Sequence, residues 1–385
     1  MLEYAIKGDK KYYGWIAFLL GLVGVGFGFY LWQLKFGLGI TGLSRDVSWG
    51  FYIAQLTYMV GVAAGGVMVV IPYYLHDYKA FGRITVLGEF LAIAALIVCM
   101  LSVVVDLGQP MRVLNVILHP SPRSMLFYDM IVLNGYLLLN LVVGWNVLQA
   151  ERNGTHYPQW VKPLIYLSIP FAISIHTVTA FLYCGLPGRG FWLTAILAPR
   201  FLASAFAAGP ALLVLLSLII RRVSNFDPGR EQIQTLAKII TYALIANLFF
   251  FGCEIFVAFY SGIPEHMDHI KYLFVGIHGH GVLVPWMWSS MALMVLALIL
   301  LIPPITRQNE GVLAVACIML FVGAWIDKGL GLISAGFVPN PLHEVNEYLP
   351  TFPEVMITIG VYAIGALVLT ILYKITIGVK EEVRA

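Results

Sequence analysis

Seven ionisable side chains fall inside or at the rims of long apolar runs: Glu89, Asp106, Asp129, His176, Glu254, Asp327 and Lys328. A charge in hydrocarbon is expensive unless paired or hydrated, so each of these residues is a candidate for function. Spacing groups several of them with neighbours that form hydrogen bonds. Asp129, Tyr136 and Asn140 stand at i, i+7 and i+11, one stripe of a helix, and His176, Thr179 and Tyr183 stand at i, i+3 and i+7. Gln55 and Tyr58 share a third face. Together they define a candidate polar pocket reached from the outer side. Glu89 is a candidate proton stop deeper in, and His176 is suited to the task because imidazole titrates close to neutral pH.

Each of these residues also has a plainer use. Tyrosine near a membrane surface is usually an anchor, which is the competing account of Tyr183. Asp327 and Lys328 can pair with neighbouring helices, and a buried histidine can be a hydrogen-bonded part of the core. Asp129 and Glu89 have fewer such uses.

The elements that position these groups follow from composition. Hydrophobic residues make up 60% of the 385-residue chain and charged residues 11%, with a mean hydropathy of +0.86. A soluble domain carries about 25% charged residues, so most of this surface must face lipid. The chain is expected to be an all-α integral membrane protein forming a single polytopic domain over 1–385. Ten segments are apolar and long enough to span: 14–34, 50–75, 84–105, 127–148, 164–184, 200–220, 238–260, 281–302, 312–333 and 355–376. A short outer helix is expected over 270–281, ahead of the eighth span. Lys7, Lys10 and Lys11 precede an apolar run too long for a cleavable signal.

Segments on the side of the termini hold roughly twice as many Lys and Arg as those on the other side, which places both termini in the cytoplasm. The outer loops are longer and rich in proline, aromatics and histidine, as in Phe337–Pro353. Ordered loops on one side suit a docking surface for a partner. The net charge of +3 includes no basic run for nucleic acid. Cys99, Cys184, Cys253 and Cys317 form no C-x-x-C pair, which argues against a zinc site or an iron–sulfur cluster within the chain. Only His176 lies clearly within a span, so a haem held by two histidines is not expected.

Several motifs run along the chain in order. Trp49-Gly50 opens the second span and Gly88-Glu89 lies in the third. Asp106-Leu107-Gly108-x-Pro110-x-Arg112 and Ser124-x-x-x-x-Asp129 follow, with Tyr136 beyond. Ile169-Pro170-x-x-x-Ser174-Ile175-His176 lies in the fifth span, and Ala198-Pro199-Arg200-Phe201 opens the sixth. Val47 to Tyr136, and more loosely most of the chain, resembles the NrfD/PsrC family of membrane subunits of polysulfide-reductase-type quinone oxidoreductases. Within that family the narrower likeness is to DsrP-type subunits of DsrMKJOP complexes of sulfur-metabolising prokaryotes.

The resemblance implies two adjoining four-helix bundles with flanking helices, in a prokaryotic cytoplasmic membrane. It implies menaquinone or another quinone bound non-covalently near the outer face of spans two to five. It also implies a ferredoxin-like [4Fe-4S] subunit on the outer side, with further cytochrome and membrane subunits. On this reading Asp129, His176 and Tyr136 serve the quinone head, while Trp49, Gln55 and Tyr58 line the entrance with Tyr183. Asp106 and Arg112 hold the outer loop against the partner, and Glu89 matters if protons also cross to the cytoplasm. One departure stands out: where some relatives carry a histidine in span two, this chain reads Gly61-Val62-Ala63-Ala64-Gly65-Gly66. Two readings from other classes remain open, a secondary transporter of ions or solutes and a passive anchor for redox subunits.

Overall fold

A computed structural model of the chain describes residues 1–76 and 78–383. Arg384, which entered the charge comparison above, lies outside the described residues. Among the described residues ten helices are long and apolar enough to cross a membrane. They are α1 (Lys10–Ile40), α2 (Phe51–Tyr74), α3 (Thr85–Asp106), α4 (Met125–Arg152), α5 (Val161–Cys184), α6 (Leu197–Val223), α7 (Arg230–Ser261), α8 (Val284–Leu301), α9 (Glu310–Phe337) and α10 (Phe352–Glu382). The fold is all-α, and the expected span count holds.

Local chemistry sets the ends. The Asp9 carboxylate accepts from the Tyr12 backbone N–H at 2.8 Å and starts α1. Asn309 does the same for α9 through Gly311 and Val312, and Thr351 with Glu354 forms a capping box on α10. Two spans are irregular. A break at Gly66 divides α2 into Phe51–Gly65 and Val67–Tyr74, and α9 passes through a π-helical turn at Ile326–Gly331. Such a turn admits an extra residue and re-aims the side chains around it.

Helices α2, α3, α4 and α5 pack in a ring, and α6, α7, α8 and α9 pack in a second ring. The rings meet where α2 lies against α6 and the π turn of α9. A Cβ built on Gly65 would stand 2.5 Å from Gly209 Cα, and one on Gly209 would stand 2.6 Å from Gly65 Cα. Only glycine at both positions lets these two backbones approach so closely. α10 packs on α3, and α1 packs on α10. The apolar window of α2 is 94% buried and that of α1 is 11% buried, so α2 is the central post and α1 lies on the rim.

Both termini share one face, where Tyr4 donates to Glu382 at 2.6 Å and Arg152 bridges Glu3 and Glu382 at 3.0 and 3.1 Å. The opposite face is closed by the segment before α10. There Tyr348 accepts from the Phe51 N–H at 2.8 Å and donates to Glu354 at 2.6 Å.

Among the boundaries that differ from expectation, two are the most marked. α7 starts at Arg230, ahead of its apolar run, because Arg230-Glu231-Gln232 make a solvated first turn. The helix before α8 runs over Pro264–Phe274, where a loop followed by a helix over 270–281 was expected. Pro264 sits in its first turn, and His269, Ile270, Tyr272 and Leu273 give it a buried face.

Candidate functional site

The π turn of α9 sends Asp327 and Lys328 to different neighbours. Asp327 takes a two-pronged contact from the Arg200 guanidinium of α6, at 2.7 and 2.8 Å, and Arg200 also grips Glu254 of α7. Arg200 is thus held by two carboxylates from two other helices, and all three groups are largely out of water. Lys328 turns toward the first ring. Its Nζ lies 2.5 Å from His176 Nε2 on α5 and 4.3 Å from the centre of the Phe201 ring.

His176 is fully buried, with Nε2 2.5 Å from the Phe201 carbonyl and Nδ1 without a partner. One nitrogen therefore faces a donor and an acceptor together. A ring proton on Nε2 goes to Phe201, whereas a bare Nε2 accepts from Lys328. The tautomer of His176 and the protons on Lys328 are tied to each other. A Cβ built on Gly61 would meet Lys328 Nζ at 3.0 Å and His176 Cε1 at 3.4 Å. This stretch of α2, residues 61–66, carries no ionisable group of its own and is flanked by ones supplied from α5 and α9.

One turn toward the face opposite the termini, Thr179 stands 2.7 Å from Asp129 Oδ1 of α4 and 2.7 Å from the Ile175 carbonyl. A hydroxyl has a single proton to give. Thr179 shares that proton between the Asp129 carboxyl and the Ile175 carbonyl. Asp129 is 3% exposed.

Above it lies an aromatic cap. Tyr183 donates to Thr57, whose own hydroxyl is committed to the Ile53 carbonyl at 2.8 Å. The Tyr183 ring meets Trp49 at 5.7 Å and Trp192 at 5.1 Å between centroids, and Phe337 packs edge-on against both tryptophans. Arg189 covers Phe337 from outside at 4.3 Å. Beyond the cap the Pro264–Phe274 helix docks through His269, whose Nδ1 lies 3.0 Å from the Val338 carbonyl. Burial holds the His269 pKa below its ordinary value, an effect the Val338 hydrogen bond partly offsets.

The expected site residues therefore divide. Asp129 and His176 lie where α4, α5 and α2 meet beneath the cap, and Tyr183 and Trp49 belong to the cap itself. Tyr136 is buried further along α4, its carbonyl taken by Asn140 Nδ2 at 2.8 Å. Gln55 and Tyr58 face the other way. Gln55 Oε1 accepts from Trp325 of α9 at 2.8 Å and Tyr362 of α10 at 2.9 Å, and Tyr58 donates to the Phe321 carbonyl at 2.7 Å. Glu89 lies level with Gly144 of α4, about 22 Å along the axis from Asp129, and its Oε2 has no partner. Asp106 ends α3 with Oδ1 unpartnered, and Arg112 is exposed.

Sequence reasoning passed over Arg200 as a site residue and did not connect Lys328 to His176. The signal was charge balance: two carboxylates, Glu254 and Asp327, sit in apolar spans and require cations. Among the described residues no group of three or more His, Cys, Asp or Glu side chains is placed to hold a metal ion.

Fold and site together define a ten-span membrane protein that keeps a buried carboxyl–hydroxyl pair and a group of paired charges beneath one face. Residues 39–338 match the family described as polysulphide reductase, NrfD. That is well over half of the chain, and the chain belongs to this family. It is 26% identical to a putative dimethyl sulfoxide reductase membrane subunit of Halobacterium salinarum, over 92% of this chain and 89% of that one. Identity is 24% with a selenate reductase subunit of Mesobacillus selenatarsenatis, over 94% and 93% of the two chains. With the menaquinone reductase integral membrane subunit of Nitratidesulfovibrio vulgaris it is 22%, over 95% and 91%.

Proposed function

We propose that this chain is the quinone-reactive membrane subunit of a multi-subunit respiratory oxidoreductase. Menaquinone or a related quinone is its substrate. Electrons pass between the quinone and a ferredoxin-like [4Fe-4S] subunit docked on the face opposite the termini, and further cytochrome and membrane subunits complete the complex. The termini lie in the cytoplasm of a prokaryotic cell and the chain spans its cytoplasmic membrane as one domain. Family membership and the names of the relatives support this reading. The DsrP-type assignment rests on the motifs and outer loops alone.

The observation that carries the site assignment is the buried Asp129–Thr179 pair, a carboxyl held by a hydroxyl beneath the docking face. Quinone chemistry moves protons with electrons, so a group that gains or loses one proton under the docking face is the required part. In this reading Asp129 holds or releases the proton at Oδ1, and His176 with Lys328 adjusts the protons one turn deeper. Tyr136 supports the same wall, Tyr183 and Trp49 close over the quinone head, and Asp106 and Arg112 secure the loop that meets the partner.

The test uses the intact purified complex. Asp129→Asn, which fits the same space but cannot titrate, should lower quinone-linked turnover by roughly 10²-fold while the partner subunits still co-purify. Thr179→Val should lower it less and shift its pH profile. Turnover unchanged in both variants would remove Asp129 from the reaction and favour a passive anchor.

A further inference from the structure

A groove of about 480 Å³ lies on the side of α2 away from the aromatic cap, walled by α1, α2, α9 and α10. Helix α1 leans on α10 where Gly26 meets Gly360, a built Cβ on Gly26 standing 2.6 Å from Gly360 Cα. It touches α10 again where Trp15 donates to Thr370 at 3.2 Å. The groove opens beside this stretch. Its walls are apolar except for a patch formed by Gln55, Trp325, Tyr362 and Thr358.

That patch has donors to spare. Gln55 Oε1 already accepts from both Trp325 and Tyr362, and one Gln55 N–H goes to the Phe51 carbonyl at 3.0 Å. An amide has two N–H donors, so one is left over. Thr358, one turn before Tyr362 on the same face of α10, is 6% exposed and its Oγ1 has no partner. A helical threonine ordinarily satisfies itself on the carbonyl four residues back, as Thr57, Thr85, Thr241 and Thr376 do here. Thr358 does not. Unmet donors inside a helix bundle call for an acceptor able to dwell in hydrocarbon.

We propose that the groove binds an isoprenoid quinone, its tail along α1 and a ring carbonyl on the Gln55–Thr358 patch, as a site separate from the Asp129 pocket. A phospholipid acyl chain supplies no acceptor. A partner's transmembrane helix has already spent its backbone carbonyls internally, and the groove is too small to seat one. The volume lies in the range of small-molecule sites. The proposal rests on the quinone chemistry proposed above and adds a second place where the same substrate is held.

The probe is a photoactivatable azido-naphthoquinone with an isoprenoid tail, applied to the purified complex in lipid nanodiscs, with the cross-linked peptides read by mass spectrometry. Label is expected on the 51–59 and 352–366 segments. Thr358→Val, which keeps the shape and removes the hydroxyl, should lower it about fivefold, and Gln55→Leu should do the same. Ala363→Phe fills the groove and should abolish it. Groove labelling that ignores Thr358→Val, or that excess phosphatidylglycerol displaces, would overturn the assignment in favour of a general lipid groove. Label confined to α4 and α5 would overturn the groove and leave the Asp129 pocket standing. No label anywhere would overturn both.

Discussion

Arg200 is the residue whose loss should cost this fold most. Its guanidinium, 6% exposed, holds Asp327 through two bonds of 2.7 and 2.8 Å and Glu254 through a third. Arg200→Met keeps most of the volume and strands two carboxylates among three spans. An ordinary hydrogen bond between membrane helices contributes only about 0.6 kcal/mol. Breaking a buried ion pair by removing one partner costs about 3–5 kcal/mol, limited by the stranded acids taking up protons. The variant should therefore lose roughly two to three and a half decades in its folded-to-unfolded ratio. Reversible unfolding in mixed detergent micelles reads this directly. Adding Glu254→Gln and Asp327→Asn removes the stranded charges and should recover more than half of the loss. An Arg200→Met protein within about 1 kcal/mol of the parent would refute a dry, three-membered network. A triple variant as unstable as the single one would refute the electrostatic explanation.

Two further outcomes follow from the geometry. Gly209→Val should sharply lower the yield of folded protein in size-exclusion chromatography, because its side chain would meet Gly65 backbone that cannot step aside. Gly252→Ala, with nothing within 4 Å of the added carbon, should leave the yield unchanged. His269 is buried and its folded-state pKa lies below the free value, so docking of the Pro264–Phe274 helix is fully stable above the free pKa of about 6.5. As pH falls below that point the undocked state takes up a proton first, and docking weakens until the lower folded pKa is reached. Protection factors of residues 264–274, which correct exchange for its intrinsic slowing in acid, should fall from pH 7 to 5.5, and His269→Gln should flatten the response; protection independent of pH in the parent would count against it.

Several elements were legible from residue order alone. Ten apolar runs became ten spans because a backbone in lipid must satisfy its own hydrogen bonds, and only a helix does so within one segment. The stripe of Asp129, Tyr136 and Asn140 is buried along α4 as its spacing predicts. The Asp327 and Lys328 pair was open to structural pairing and does pair. Gln55 and Tyr58 show where such reading stops. Their shared face was correct, but its direction was not: they look toward α9 and α10, away from Asp129.

Sequence by itself determined what must enter the membrane, which polar groups go with it, and the family to which the chain belongs. Tertiary structure decided which of those groups meet. A span that is apolar all round carries no periodic mark of which side faces protein and which faces lipid. Arg200 with Glu254 and Asp327, Lys328 with His176, and the Gln55–Thr358 groove all join helices far apart in the chain. Only the packing of α2 against α6 and the π turn of α9 brings them together.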